Sequence, residues 1–212
     1  MERLDESILR CKVSLKRDAS TLGDGNCFPR SIIQQCERYE VRKWLEEHRP
    51  WKIASSHNDL RLKVVKFALN ESNEKLNSLK DHYENVQIPL QMEDVNNPHH
   101  HIRSWREYWR WMSQDSKWAD DIFIQATAWY LELDIKIITF TSTPKKPFMT
   151  ISGGDDSSDF RRPKLYVGYI PVRDNEHYQS LLPKDENKNL STLKRGINQV
   201  DNDNGSVAVL RL

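Results

Sequence analysis

The six-residue run Asp-Gly-Asn-Cys-Phe-Pro that ends at Pro29 limits the fold of this chain most, because it fixes where a helix begins. Pro29 has no backbone N–H, and the first turn of a helix is where that group has no intrahelical partner to lose. Gly25 permits a sharp bend, and Asn26 is a residue type that often caps a helix N-terminus. The run therefore predicts a helix over about residues 27–37, with Cys27 at its positive end.

A thiol at the positive end of a helix ionises more easily, because the helix dipole favours the thiolate. The apolar residues that follow have the spacing of one buried stripe: Phe28, Ile32, Ile33 and Cys36. The motif alone leaves two interpretations of Cys27 open, since a free cysteine is more often a small core residue than a nucleophile.

Composition and charge exclude several classes of partner. The 212 residues carry a net charge of +1 with both signs interspersed, which does not favour nucleic acid or an anionic membrane. No stretch approaches the roughly 20 apolar residues of a membrane span, and no signal-peptide layout opens the chain. Three scattered cysteines do not make a disulfide framework. We therefore expect a monomer in a reducing compartment, the cytoplasm of its own cell or of a host that receives it as an effector.

Other clusters of polar residues have simpler interpretations than a metal or acid–base site. The tract His99-His100-His101 lies in a polar stretch without a carboxylate or thiol at a ligand spacing, so we interpret it as a solvated loop. Asp120 and Asp121 precede an apolar helical pattern, where acidic residues favour the helix dipole. A lone thiol with a histidine far along the chain remains the stronger chemical signal.

Hydrophobic periodicity predicts helices first and strands late, which favours an α+β fold over a doubly wound sheet. Amphipathic spacing predicts helices over about residues 27–37, 41–48, 58–76, 105–112 and 119–133. Apolar runs predict a central strand over 135–140 and further strands over 165–170 and 177–181, and residues 8–16 are interpreted as an edge strand or a lead-in.

Composition divides the chain into three parts. Residues 1–13 are interpreted as an N-terminal lead-in, residues 14–183 as one domain, and residues 184–212 as a polar, flexible C-terminal tail. Inside the domain, residues 84–103 carry two prolines among polar residues and are expected to form a loop or an insertion.

Three motifs, in chain order, resemble the ovarian-tumour (OTU) domain, a family of papain-like cysteine proteases that remove ubiquitin from proteins. They are Asp24-Gly25-Asn26-Cys27-Phe28, then Trp118-Ala119-Asp120-Asp121-Ile122 at a helix start, then Tyr169 with Glu176-His177-Tyr178. The resemblance extends over about residues 14–182. It implies a papain-like fold with a small central, mostly antiparallel sheet flanked by helices.

The resemblance implies catalytic roles for Asp24, Cys27 and His177. Cys27 would attack the carbonyl of the isopeptide bond as a thiolate, and His177 would pair with it and then protonate the departing lysine amine. Asp24 matches the motif aspartate that shapes a loop whose backbone N–H groups bind the oxyanion. The implied partner is ubiquitin, a polyubiquitin chain or a ubiquitin-like modifier, and no cofactor is implied.

The residue that orients His177 stays open. The family often has Asp or Asn two residues after the histidine, where this chain has Gln179. A neutral amide can hold a histidine tautomer, and strand alternation places Gln179 on the same face as His177. Some relatives use instead an acid on the N-terminal side of the nucleophile, for which Asp18 and Asp5 are the candidates.

The leading hypothesis from the sequence is therefore a deubiquitinating cysteine protease that uses Cys27 and His177. The alternative is a ubiquitin-binding module with weak or lost catalysis, which Gln179 in place of Asp or Asn suggests. A more distant interpretation is a general papain-like peptidase or acyltransferase with the same Cys–His chemistry.

Overall fold

A computed structural model of the protein describes residues 2–18, 24–70, 74–85, 104–154, 162–170 and 177–184. Within them the helices are α1 (Glu2–Arg10), α2 (Cys27–Cys36), α3 (Tyr39–His48), α4 (His57–Ala68), α5 (Glu74–Asn85), α6 (Trp105–Met112) and α7 (Asp121–Leu131). A short 3-10 helix, Pro50–Lys52, follows α3. The strands are β1 (Leu15–Arg17), β2 (Ile135–Ile138), β3 (Met149–Ile151), β4 (Leu165–Ile170) and β5 (His177–Pro183).

The strands form one sheet in the order β1–β5–β4–β2–β3. Neighbouring strands are antiparallel except β2 and β4, which are parallel. The expected α+β class with a small, mostly antiparallel sheet is confirmed. The predicted central strand also holds, since β2 is paired on one side by β3 and on the other by β4.

Helices cover the sheet on both faces. On one face α2, α4, α6 and α7 share the main core with the sheet, and its fully buried members include Phe28, Leu60, Trp109, Phe123 and Ile137. On the other face α1 completes a smaller core of Leu4, Ile8, Leu15, Ile138, Ile170 and Leu181. Alternation along β5 therefore directs Tyr178 towards α2 and Leu181 towards α1.

The helix start predicted at Cys27 is confirmed, and Pro29 lies in the first turn of α2. The stripe behind it is buried as expected, because Phe28, Ile32 and Cys36 face the main core. Asn26 stands at the N-cap position, but its side chain makes no capping hydrogen bond. The expectation that Asn26 caps the helix is therefore wrong. Its side chain forms other hydrogen bonds, which belong to the candidate active site.

An edge strand over residues 8–16 is wrong for the first of these residues, because α1 continues to Arg10. Only Leu15–Arg17 form the edge strand β1. Leu4, Ile8 and Cys11 lie on one buried helical face. Over so few residues, the same apolar spacing also fits a loose alternation, so the pattern did not separate helix from strand.

The helix predicted over residues 58–76 is two helices. The hydroxyl of Ser56 caps α4 by accepting the Asp59 amide, α4 ends at Ala68, and Leu76 is buried in α5. Strand β3 was not predicted, because its first two residues are exposed and carry no apolar alternation. The histidine tract 99–101, residues 86–103 of the expected loop and the tail from residue 185 lie outside the described residues.

Candidate active site

The thiol of Cys27 lies where the N-terminus of α2 meets the start of β5. Cys27 is the first residue of α2, and only 1% of it is exposed. Its Sγ accepts a hydrogen bond of 3.3 Å from the backbone N–H of Tyr178. Since His177 is the neighbour of Tyr178 and begins β5, the fold brings the two residues of the predicted Cys–His pair to the same place.

Burial raises the pKa of the Cys27 thiol above its ordinary value. Hydrogen bonds from the backbone amides of Tyr178 and Phe28 act in the opposite direction, but they do not outweigh the loss of solvent around the sulfur. The helix N-terminus therefore does not by itself offset the effect of burial on this thiol. The neutral thiol is the favoured form at neutral pH.

The imidazole of His177 is half-buried, and burial lowers its pKa, while the carboxylate of Asp24 acts in the opposite direction. The raised pKa of the Cys27 thiol and the lowered pKa of the His177 imidazole both favour the neutral forms of the two side chains over a preformed ion pair.

Asp24 shapes the turn that leads into Cys27. Its Oδ1 accepts the backbone N–H of Asn26 at 3.1 Å, and its Oδ2 forms an ion pair of 2.7 Å with Arg30 in the first turn of α2. Gly25 between them has a φ of +80°, which L side chains rarely adopt. A Cβ at Gly25 would also overlap the carbonyl oxygen of Ser116, so the turn rests directly on the segment between α6 and α7.

The side chain of Asn26 holds this turn against that segment. Its Oδ1 accepts from the backbone N–H of Ser116 at 3.2 Å and from the guanidinium of Arg61 at 3.1 Å. Its Nδ2 donates to Asp115 at 2.8 Å. Asn26 is therefore 1% exposed with both amide atoms used, which explains why it does not cap α2.

Arg61 is the residue at this site that sequence reasoning missed. It is completely buried in α4 and its guanidinium lies over the ring of Phe123, 5.2 Å from the centroid. The sequence did carry a signal, because Arg61 stands at helical spacing with the buried Val64, Val65 and Ala68. A charged residue on the apolar face of a helix needs buried partners.

The candidates for the residue that orients His177 lie in different places. Gln179 is buried and its Nε2 donates to the carbonyl oxygen of Asp18 at 3.3 Å. The Asp18 carboxylate accepts from the hydroxyl of Ser180 at 3.2 Å, so residues of β5 bind both the backbone carbonyl and the side chain of Asp18. Asp5 on α1 is instead paired with Arg17 on β1, and the side chain of Asp5 is 57% exposed.

Other titratable groups occupy structural positions. Asp120 caps α7 by accepting the Phe123 amide at 2.9 Å, and the Tyr108 hydroxyl donates to the same oxygen at 2.6 Å, as the interpretation of a helix start requires. His57 is partly buried, with Nε2 3.8 Å from Asp115. Its pKa is lowered by burial, with Arg30 adding to the effect.

The described part of the chain lacks two further features. No helix there is long and apolar enough to cross a bilayer. No three His, Cys, Asp or Glu side chains of those residues are grouped as the ligands of a metal ion.

Comparisons with known proteins concern the family and the fold of the chain. The model of a family described as OTU-like cysteine protease matches residues 22–178, which is more than half of the chain. An OTU deubiquitinase from Wolbachia pipientis wMel, solved bound to ubiquitin, aligns with a TM-score of 0.50 and 15% sequence identity over 81% of this chain and 98% of that chain. The OTU domain of OTUD1 aligns with a TM-score of 0.48 and 18% identity over 85% and 93% of the two chains. No curated protein matches the sequence.

Proposed function

Since the chain belongs to the family of OTU-like cysteine proteases, we propose that it hydrolyses the isopeptide bond after the C-terminal glycine of ubiquitin. The observation that carries the proposal is the hydrogen bond from the Tyr178 amide to Cys27 Sγ, which sets the start of β5 against the N-terminus of α2. Cys27 is then the nucleophile and His177 the general acid and base. The proposed partner is ubiquitin or a polyubiquitin chain.

The first half-reaction forms a thioester. As the scissile carbonyl reaches Cys27, the thiol proton passes to His177 and Sγ bonds to the carbonyl carbon of the terminal glycine. The resulting tetrahedral oxyanion collapses, the C–N bond breaks, and His177 returns the proton to the departing lysine amine. In the second half-reaction His177 takes a proton from water, which attacks the thioester and releases ubiquitin with a free carboxylate and the Cys27 thiol.

The oxyanion is stabilised by backbone N–H groups of the turn around Asp24 and Cys27. This turn is fixed on one side by the bonds of Asp24 to Asn26 and Arg30, and on the other by the close approach of Gly25 to Ser116. Donors that are held rigidly before the reaction need no reorganisation, and each can contribute on the order of 10²–10³ in rate. Asp24 thus acts by shaping the turn.

We assign Gln179 as the residue that orients His177. Its Nε2 donates to the backbone carbonyl of Asp18. Oε1 is then the atom that can accept a hydrogen bond from the imidazole N–H. Asp5 is a poorer candidate, because Arg17 already neutralises it at the edge of the sheet. Asp18 then supports Gln179 rather than contacting the ring.

A second candidate function is a ubiquitin-binding module with weak catalysis. The observation in its favour is the sulfur itself, which is almost completely buried and whose raised pKa favours the unreactive thiol. Binding of ubiquitin without turnover would then be the activity of the chain.

Cleavage and binding assays with the purified protein separate the candidates. We expect cleavage of at least one member of a panel of diubiquitins, loss of cleavage in Cys27→Ala, and retained ubiquitin binding by that variant in titration calorimetry. Binding without cleavage of any diubiquitin supports the binding module. Cleavage of ordinary peptides but of no ubiquitin conjugate identifies a general peptidase and contradicts the proposal.

A further inference from the structure

We propose that Arg61 is a positioning residue for the reaction, holding the turn before Cys27 so that its backbone N–H groups face the developing oxyanion. The inference rests on the proposed function, because it concerns the same thiol and the same turn. It adds a residue that lies 34 positions after the nucleophile in the sequence and that no motif of the chain includes.

The guanidinium of Arg61 connects two segments that are far apart in the sequence. One nitrogen donates to the carbonyl of Met112 at 2.9 Å. The other donates to the carbonyl of Lys117 at 2.7 Å, to Asn26 Oδ1 at 3.1 Å and to the carbonyl of Gly25 at 3.4 Å. One side chain therefore fixes the segment after α6 and the turn before α2 to each other.

The acceptors of Arg61 are all neutral oxygens, and the residue is 0% exposed. Burying a charge without a hydrogen-bonded carboxylate is costly, and burial indeed lowers the pKa of Arg61 to about 10. A core needs no such charge to pack, since an apolar side chain of similar volume serves at least as well. What the guanidinium supplies is a planar set of donors that reaches several carbonyls at once.

The bonds of Arg61 act on the part of the turn that catalysis uses. Asn26 is next to Cys27, and its carbonyl accepts the first helical bond of α2 from the Arg30 amide. Gly25 lies directly on Ser116, whose own backbone N–H binds Asn26. A shift of this turn would move the amides around Cys27 relative to the substrate carbonyl, and a misplacement of about 1 Å can cost about 10²-fold in rate.

A matched control exists in Arg38, a second buried arginine. It is 5% exposed, lies over the ring of Tyr166, and donates to the carbonyl of Lys164 and to Oε1 of Gln35. Like Arg61, it reaches a side-chain amide oxygen and a backbone carbonyl, but it also pairs with the carboxylate of Glu40, and its bonds lie at the C-terminal end of α2. Arg38→Lys should disturb the fold as Arg61→Lys does without moving the turn before Cys27.

The test compares hydrolysis with alkylation in Arg61→Lys, Arg38→Lys and the wild-type protein. Hydrolysis of ubiquitin–aminomethylcoumarin passes through an oxyanion, whereas iodoacetamide alkylates the thiolate by displacing iodide and forms none. For Arg61→Lys we expect kcat to fall about 10²-fold, KM to stay within about twofold, and the alkylation rate of Cys27 within about threefold. For Arg38→Lys we expect kcat within about twofold of wild type.

Three results would overturn the inference. If Arg61→Lys keeps the kcat of Arg38→Lys, the arginine only supports the fold. If alkylation falls as far as hydrolysis, Arg61 acts on the thiol and not on the amides. A wild-type protein that cleaves neither ubiquitin–aminomethylcoumarin nor any diubiquitin refutes the proposed function, and the inference falls with it. Should Arg61→Lys not fold, Asn26→Ala carries the test, because it removes one acceptor of Arg61 and must show the same split between hydrolysis and alkylation.

Discussion

The two ends of helix α2 are built from similar parts and differ in their chemistry. Each end has a buried cysteine, Cys27 at the first position and Cys36 at the last. At each end a buried arginine also lies over an aromatic ring and donates to a side-chain amide oxygen and to at least one backbone carbonyl. Residue types alone therefore do not identify the reactive end.

The difference lies in the groups that face each sulfur. The backbone amides of Tyr178 and Phe28 donate towards Cys27 and lower the pKa of its thiol, although burial keeps that pKa above the ordinary value. Burial, with the neighbouring Glu37 acting in the same direction, raises the pKa of Cys36 to about 12. Backbone N–H groups are exposed at the N-terminus of a helix, so the direction of α2 favours Cys27 over Cys36 as the proposed nucleophile.

The largest expected effect is on turnover. Cys27→Ser and His177→Ala should each lower kcat/KM for ubiquitin–aminomethylcoumarin by roughly 10³-fold or more, because thiol and imidazole act as a unit. Cys36→Ser at the other end should stay within about twofold. Equal losses of kcat/KM in the Cys27 and Cys36 variants would contradict the proposed difference between the two ends of α2.

The reactivity of the thiols towards iodoacetamide should show the same contrast without any substrate. At pH 8 a thiol of pKa about 12 is ionised to about one part in 10⁴, so native Cys36 should not be alkylated. Because the pKa of Cys27 is raised, its alkylation rate should increase with pH and reach half-maximum above the value of a free cysteine. Peptide mass mapping after timed quenching measures both rates. A Cys27 midpoint below that of free cysteine contradicts the neutral pair.

The turn before α2 should tolerate no side chain at Gly25. Gly25→Ala meets a positive φ and the carbonyl of Ser116, so we expect a lower Tm and a fall in kcat of about 10²-fold as the turn shifts. Gly154→Ala is the matched control, since a Cβ there meets the end of the flexible Arg162 side chain and φ is not positive. Calorimetry and steady-state kinetics on both variants check this, and a fully active Gly25→Ala disproves the rigid turn.

The smallest effect concerns the orientation of His177. Gln179→Ala should lower kcat about tenfold, because the imidazole loses an oriented acceptor but keeps its place at the start of β5. Gln179→Glu, which retains the acceptor, should recover part of that loss. The pH profile of kcat/KM measures the change. A loss as large as that of His177→Ala would make Gln179 as essential as the histidine.

Much of the fold could be predicted because it depends on local pattern. Pro29 placed the start of α2, apolar spacing placed α6 and α7, and a run without alternation identified β2 as central. Where the pattern is short or weak the prediction failed, as in α1, whose few buried residues fit two periods, and in β3, whose exposed residues carry no signal.

Of the candidate site, only the residues proposed to take part in the reaction could be predicted from the sequence. Asp24, Cys27 and His177 follow from motif and chemistry, and their roles remain predictions. The support around them depends on contacts between residues far apart in the sequence, such as Arg61 with Asn26 and Asn26 with Ser116. Such contacts exist only after the helices pack. For the same reason the sequence could not show that burial would oppose the helix dipole at the thiol.

Covalent capture by ubiquitin with a C-terminal propargylamide tests whether Cys27 is the nucleophile. This electrophile reacts with a thiol that is aligned with a bound ubiquitin tail. We expect a single adduct, which intact-mass measurement and peptide mapping place on Cys27. The adduct should be absent in Cys27→Ala and should persist in Cys36→Ala. An adduct on Cys36, or no adduct with the wild-type protein, would contradict this expectation.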